Sequence, residues 1–156
     1  MKNMTDRLDA QQNLQVVVER TFAVRRERVF RAWTDPALMG KWFAPTDKEP
    51  VGVEARAAVG GRYRIGMRGA DGAIDYVSGK YIEVRPPERL VFTWAWEKEP
   101  PDFESLVTLE FFEQGDSTRL VLTHQRLATA ERQENHRRGW ISCLQHLEMK
   151  ISDGSV

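Results

Sequence analysis

Residues 129–151, "TAERQENHRRGWISCLQHLEMKI", carry one apolar stripe at helical spacing: His136, Trp140, Cys143, Leu144, Leu147 and Ile151. As a single helix this segment would run for roughly 35 Å, and a stripe of that length has to be buried against something large. Glu134 and Arg138 are spaced for an i,i+4 ion pair on such a helix. Its interior holds Gly139, directly before Trp140. Glycine there costs about 1 kcal/mol relative to alanine. Lacking a side chain, it admits either a close backbone approach or an open space, and the two differ in what they imply for function.

The rest of the chain supplies the partner. "LQVVVERTFAV" alternates Val16, Val18 and Phe22 against Gln15, Glu19 and Thr21, the period of a strand. "RRERVFRAW" sets Val29, Phe30 and Trp33 on one helical face. In "TDPALMGKWF", Asp35 stands as a cap before Pro36, so a second short helix is expected to about Trp42. From residue 50 onward come "VGVEARA", "GGRYRIGMR", "AIDYVSGKYIEV", "ERLVFTWAW", "SLVTLEFF" and "STRLVLTHQ". Turn residues part them: Gly60-Gly61, Asp71-Gly72, Pro86-Pro87, Pro100-Pro101 and Gly115-Asp116. Short connections favour an antiparallel meander. The order strand, two helices, six strands, helix predicts an α+β domain: a curved seven-stranded antiparallel sheet wrapped around one long C-terminal helix. The two short helices then lie between strands 1 and 2. The domain is expected over residues 14–153, after a polar tail at 1–13.

Alternation places Tyr63, Ile65 and Met67 toward the helix, and likewise Leu90, Phe92, Trp94 and Trp96. Val107, Leu109 and Phe111 follow, then Leu120, Leu122 and His124. The facing of the strand around Tyr76 to Val84 stays open, with Gly79 a candidate bulge.

Charge narrows the partners. Lys plus Arg and Asp plus Glu number 23 each, so no net field recruits nucleic acid or an anionic membrane. No run approaches the ~18 apolar residues of a membrane span. The single cysteine, Cys143, excludes an internal disulfide; with no signal-peptide pattern at the start, a cytoplasmic setting is expected. His124, His136 and His146 are too few and too irregularly spaced for a built-in metal site. No nucleophile elbow and no phosphate-binding loop is present, and Cys143 falls on an apolar helix face. Neither a metal nor a cofactor is expected, and no catalytic residue is assigned.

What remains is an aromatic surplus. Trp33, Trp42, Phe43, Tyr63, Phe92, Trp94, Trp96 and Trp140 converge between sheet and helix, with Ile65, Leu109 and Leu144 among them. They either fill a solid core or line an apolar pocket with a few polar groups, the usual form of a small-molecule site. In the second case His136, one turn before Trp140, is the polar group at the mouth.

The pieces "RTFAVRRERVFRAWTDPALMGKWFAP", "VGGRYRI", "GADGAIDYVSGKYIEVRPPERLVFTW", "VTLEFFEQGDSTRLVLTH" and "ENHRRGW", in this order, resemble the activator of heat-shock-protein-90 ATPase homologue-like family. That family lies within the START-like (SRPBCC) superfamily, which includes the birch-pollen allergen fold. The resemblance implies a helix-grip fold. It also implies a choice of roles: binding of an apolar or aromatic small molecule, cyclisation or hydrolysis in the cavity, or a co-chaperone-like interaction. The namesake's activating role is associated with an additional N-terminal domain. The expected partner here is therefore a small molecule rather than a chaperone, with a homodimer also open.

Overall fold

The computed structural model describes residues 14–100 and 103–156. The tail expected at 1–13 and the second proline of the Pro100-Pro101 turn lie outside them. Strand β1 (Leu14–Phe22) leads into helix α1 (Arg26–Thr34) and helix α2 (Pro36–Trp42). Six strands follow: β2 (Glu49–Ala55), β3 (Arg62–Arg68), β4 (Ile74–Arg85), β5 (Arg89–Trp96), β6 (Ser105–Gln114) and β7 (Ser117–Leu127). Helix α3 (Ala130–Ser152) closes the domain.

Local chemistry sets these boundaries. The Asp35 carboxylate accepts from the Ala37 amide at 2.9 Å, capping α2 one residue before Pro36. Thr129 does the same for α3, accepting from the Arg132 amide at 3.1 Å. Glu134 and Arg138 pair at 3.3 Å on its outer side. In the turn between β3 and β4, Gly72 takes a φ of 85°, a conformation that costs glycine little and other residues more.

All seven strands form one antiparallel sheet in the order β1-β7-β6-β5-β4-β3-β2. The meander runs from β2 to β7, and β1 completes it beside β7. The inward alternation of β3, β6 and β7 is as their sequences require: Tyr63, Ile65, Met67, Val107, Leu109, Phe111, Leu120, Leu122 and His124 are all buried. The open question about β4 resolves with Val77 and Tyr81 facing in. The register shift falls between Tyr81 and Glu83 rather than at Gly79. Gly79 answers a different need: a Cβ there would stand 2.0 Å from the Thr93 carbonyl oxygen of β5.

Helix α3 lays Trp140, Cys143, Leu144 and Leu147 into the concave side of the sheet. It packs against β1, β7 and α2, and so leans toward one half of the sheet. A straight helix cannot follow a twisted sheet along its whole width. The space on the β3–β5 side is filled in part by α1 and α2. Trp33 meets Trp42 and Phe43 edge-on at 4.7 and 5.1 Å, and Trp42 Nε1 donates to the Ala32 carbonyl at 2.9 Å. The loop after α2 is latched onto α3, since the Thr46 amide donates to Ser142 Oγ at 2.9 Å and His146 Nδ1 donates to the Ala44 carbonyl at 2.9 Å.

Candidate functional site

Beyond that aromatic plug, toward the N-terminal half of α3, sheet and helix part. They leave a cleft of about 600 Å³. Met67, Trp94 and Trp96 form its sheet wall, Asn135, His136, Gly139, Trp140 and Cys143 its helix wall, and Pro45 and Lys48 of the latched loop one end. Gly139 opens onto this cleft. A Cβ built on it meets nothing within 4 Å, so the position faces open space and not a close backbone contact.

The twelve side chains expected to line a pocket divide here. Trp94, Trp96, His136 and Trp140 lie on the cleft wall. Trp33, Trp42, Phe43, Tyr63, Ile65, Phe92, Leu109 and Leu144 are instead buried in the packed core. Ring packing closes most of the space among them, leaving a void of about 10 Å³ beside Trp33, Phe43, Tyr63, Ile65 and Phe92. That is the volume of a single water molecule at most. The open space is therefore displaced from the aromatic centre toward the start of α3.

Two histidines organise the polar part of the wall. An indole N–H can only donate, so the 2.9 Å contact from Trp140 Nε1 makes His124 Nδ1 the acceptor. His124 Nε2 then carries the proton and donates to Ser105 Oγ at 2.6 Å, and Ser105 donates onward to the Trp94 carbonyl at 3.1 Å. The chain Trp140–His124–Ser105–Trp94 is fully committed. Ser105 and His124 have the composition of a nucleophile and its base, but the proton sits on the wrong nitrogen. The histidine donates to the hydroxyl rather than accepting from it, so the serine is not activated. Burial, and secondarily the charge of His136, holds the His124 imidazole well below the ordinary histidine range.

His136 is held by a second tryptophan. Its Nδ1 donates to the Arg132 carbonyl at 2.7 Å, which leaves Nε2 with a lone pair, accepting from Trp96 Nε1 at a long 3.4 Å. The two imidazoles meet edge to face at 4.6 Å. Burial lowers the His136 pKa, as does the Arg132 charge, against the opposing pull of the Arg132 carbonyl and of Glu99. Cys143 is buried, which raises its pKa and keeps it a thiol. Trp94 Nε1 is buried without a hydrogen-bond partner among the described residues.

Two ion pairs stand at the mouth. Arg132 meets Glu99 at 2.7 Å and Lys98 meets Asp75 at 3.2 Å, joining the end of β5 to α3 and β4. The Arg132 guanidinium also lies over the Phe103 ring at 4.1 Å. Among the described residues no group of three or more His, Cys, Asp or Glu is placed to hold a metal ion. No helix among them is long and apolar enough to cross a membrane.

Alternation turns His124 inward, and Gly139 stands out as a glycine inside a helix. No such signal marks Ser105, Lys48, Asp75, Lys98, Glu99, Arg132 or Asn135. They reach the site from turns, strand ends and the polar margin of α3, where no periodic signal separates a rim residue from a solvated one.

A curved antiparallel sheet gripping a long C-terminal helix is the helix-grip architecture of START-like domains. Residues 23–150 match the model of the activator of Hsp90 ATPase homolog 1-like protein family, and the chain belongs to that family. Solved structures agree. The AHSA1 protein from Silicibacter pomeroyi is 28% identical with a TM-score of 0.79, over 89% of this chain and 98% of that one. A protein from Chromobacterium violaceum is 25% identical with a TM-score of 0.78, over 86% and 94%. CalU16 from Micromonospora echinospora is 27% identical with a TM-score of 0.68, over 90% and 77%. No protein among those of curated function matches the sequence.

Proposed function

We propose that this chain is a binding protein that takes an apolar or aromatic small molecule into the cleft between α3 and the β3–β5 half of the sheet. The observation that carries this is the open space over Gly139, walled by Trp94, Trp96 and Trp140. Its volume of about 600 Å³ falls in the range of small-molecule sites. Maintaining such a space has a cost, because a glycine inside a helix and the partly uncovered Trp96 both lower stability. The His124 imidazole, the Ser105 hydroxyl and the Trp140 N–H deep in the wall are satisfied by one another and by the Trp94 carbonyl, so an apolar body can enter without stranding them.

The experiment is a titration with fatty acids, sterols, flavonoids and polyketides, followed by tryptophan fluorescence, on the wild type and on Gly139→Leu. The leucine side chain projects into the cleft while restoring helix propensity. The variant is expected to fold with at least wild-type stability and to lose at least about tenfold in affinity for any compound that binds. A folded Gly139→Leu protein that binds as tightly as the wild type would sink the proposal.

A further inference from the structure

The His136–Trp96 contact specifies more than an apolar body. The two side chains stand on opposite walls of the cleft, both only partly buried, and their nitrogens meet at 3.4 Å. An N–H···N bond of that length is long and weak. Its two ends are fixed in kind. The Arg132 carbonyl occupies the His136 Nδ1 proton at 2.7 Å, so neutral His136 offers the cleft a lone pair at Nε2 and nothing else. Trp96 offers an N–H and nothing else. The wall thus presents one acceptor and one donor side by side, joined by a poor bond. The other indole donor that is engaged, on Trp140, is tied to His124.

We infer that the molecule bound in this cleft is a hydroxylated aromatic compound whose hydroxyl group inserts between His136 Nε2 and Trp96 Nε1. A hydroxyl oxygen donates and accepts at one atom, so it exchanges one long bond for two of ordinary length. An ether or a carbonyl oxygen would satisfy Trp96 and leave its own lone pairs against that of His136. A carboxylate would do the same, since it carries no proton to give to His136 Nε2. The aromatic body follows from the ring wall beneath: Trp94 lies 5.6 Å from Trp96 and 4.8 Å from Trp140, centroid to centroid. Inserting an oxygen requires the two nitrogens to separate by about 1 Å, and Trp96, partly exposed at the rim, is the side chain that turns aside.

This inference rests on the binding proposal, and the test separates the two. Equilibrium dialysis would compare 2-naphthol, 2-methoxynaphthalene and 2-methylnaphthalene, which share a ring system and differ in the hydroxyl. The wild type is expected to hold 2-naphthol about tenfold more tightly than either of the others. His136→Phe, checked for folding by circular dichroism, brings that ratio close to one. Trp96→Phe, which removes the donor and spares the acceptor, leaves an intermediate ratio, as does His136→Gln, which restores an acceptor. Equal binding of all three by the wild type overturns the hydroxyl assignment and leaves the cleft proposal standing. A preference that survives in folded His136→Phe also overturns it. Binding of none of the three overturns both.

Discussion

At the scale of single residues, the informative groups are the two histidines, each anchored by an indole. His124 is buried and has both nitrogens engaged, by Trp140 at 2.9 Å and by Ser105 at 2.6 Å. Trp140→Phe keeps most of the ring volume and removes the donor, leaving a buried imidazole lone pair without a partner. The expected loss is about 1–3 kcal/mol in chemical denaturation. A loss below about 0.5 kcal/mol would mean that the bond adds little in this network. Period-two alternation turns His124 inward, but its partners sit on β6 and α3 at distant points of the chain. Strand and helix patterns report which face a residue occupies and say nothing of which other inward residue it meets.

Two glycines make the same point for whole elements, with opposite signs. Gly139 faces the cleft in the middle of α3, where an added Cβ touches nothing within 4 Å. Gly139→Ala is therefore expected to raise stability by about 0.5–1 kcal/mol through helix propensity alone. Gly79 lies in β4, where an added Cβ would stand 2.0 Å from the Thr93 carbonyl oxygen. That carbonyl cannot move aside freely, because it accepts from Tyr63 Oη at 2.6 Å, while Thr93 Oγ1 accepts from the Lys80 amide at 2.9 Å. Gly79→Ala is expected to cost about 1–3 kcal/mol or to prevent folding. Thermal melts of the two variants against the wild type check both signs. Both glycines stand out in the sequence as misfits in their elements. Only the neighbours across the sheet and across the cleft tell crowding from vacancy.

For the molecule as a whole, buried His124 and half-buried His136 predict how stability follows pH. The folded state lowers the pKa of His124, chiefly by burial and next by His136, and that of His136, chiefly by burial. Arg132, Glu99, His124 and Trp96 are the groups that face His136. Unfolded, both imidazoles return to about 6.5. Below that value the unfolded chain binds more protons than the folded one, so stability is complete above about pH 6.5 and declines as pH falls. A melting temperature flat above pH 7 and falling below about 6.5 is the expected profile, with a shallower fall in His136→Gln. A profile flat to pH 5 would show that the histidines are not held neutral by the fold.

The α+β class, the element order, the antiparallel meander and the inward faces of β3, β6 and β7 follow from sequence alone, because each depends on periodicity, turn chemistry and caps within a few residues. Where the empty space lies does not. Eight of the twelve side chains expected to line a pocket pack solidly, and four open onto the cleft. That division depends on the half of the sheet toward which α3 leans and on how far Trp33, Trp42 and Phe43 reach beneath it. Packing of this kind is a sum over neighbours distant in the chain, and a gap is the place where that sum falls short.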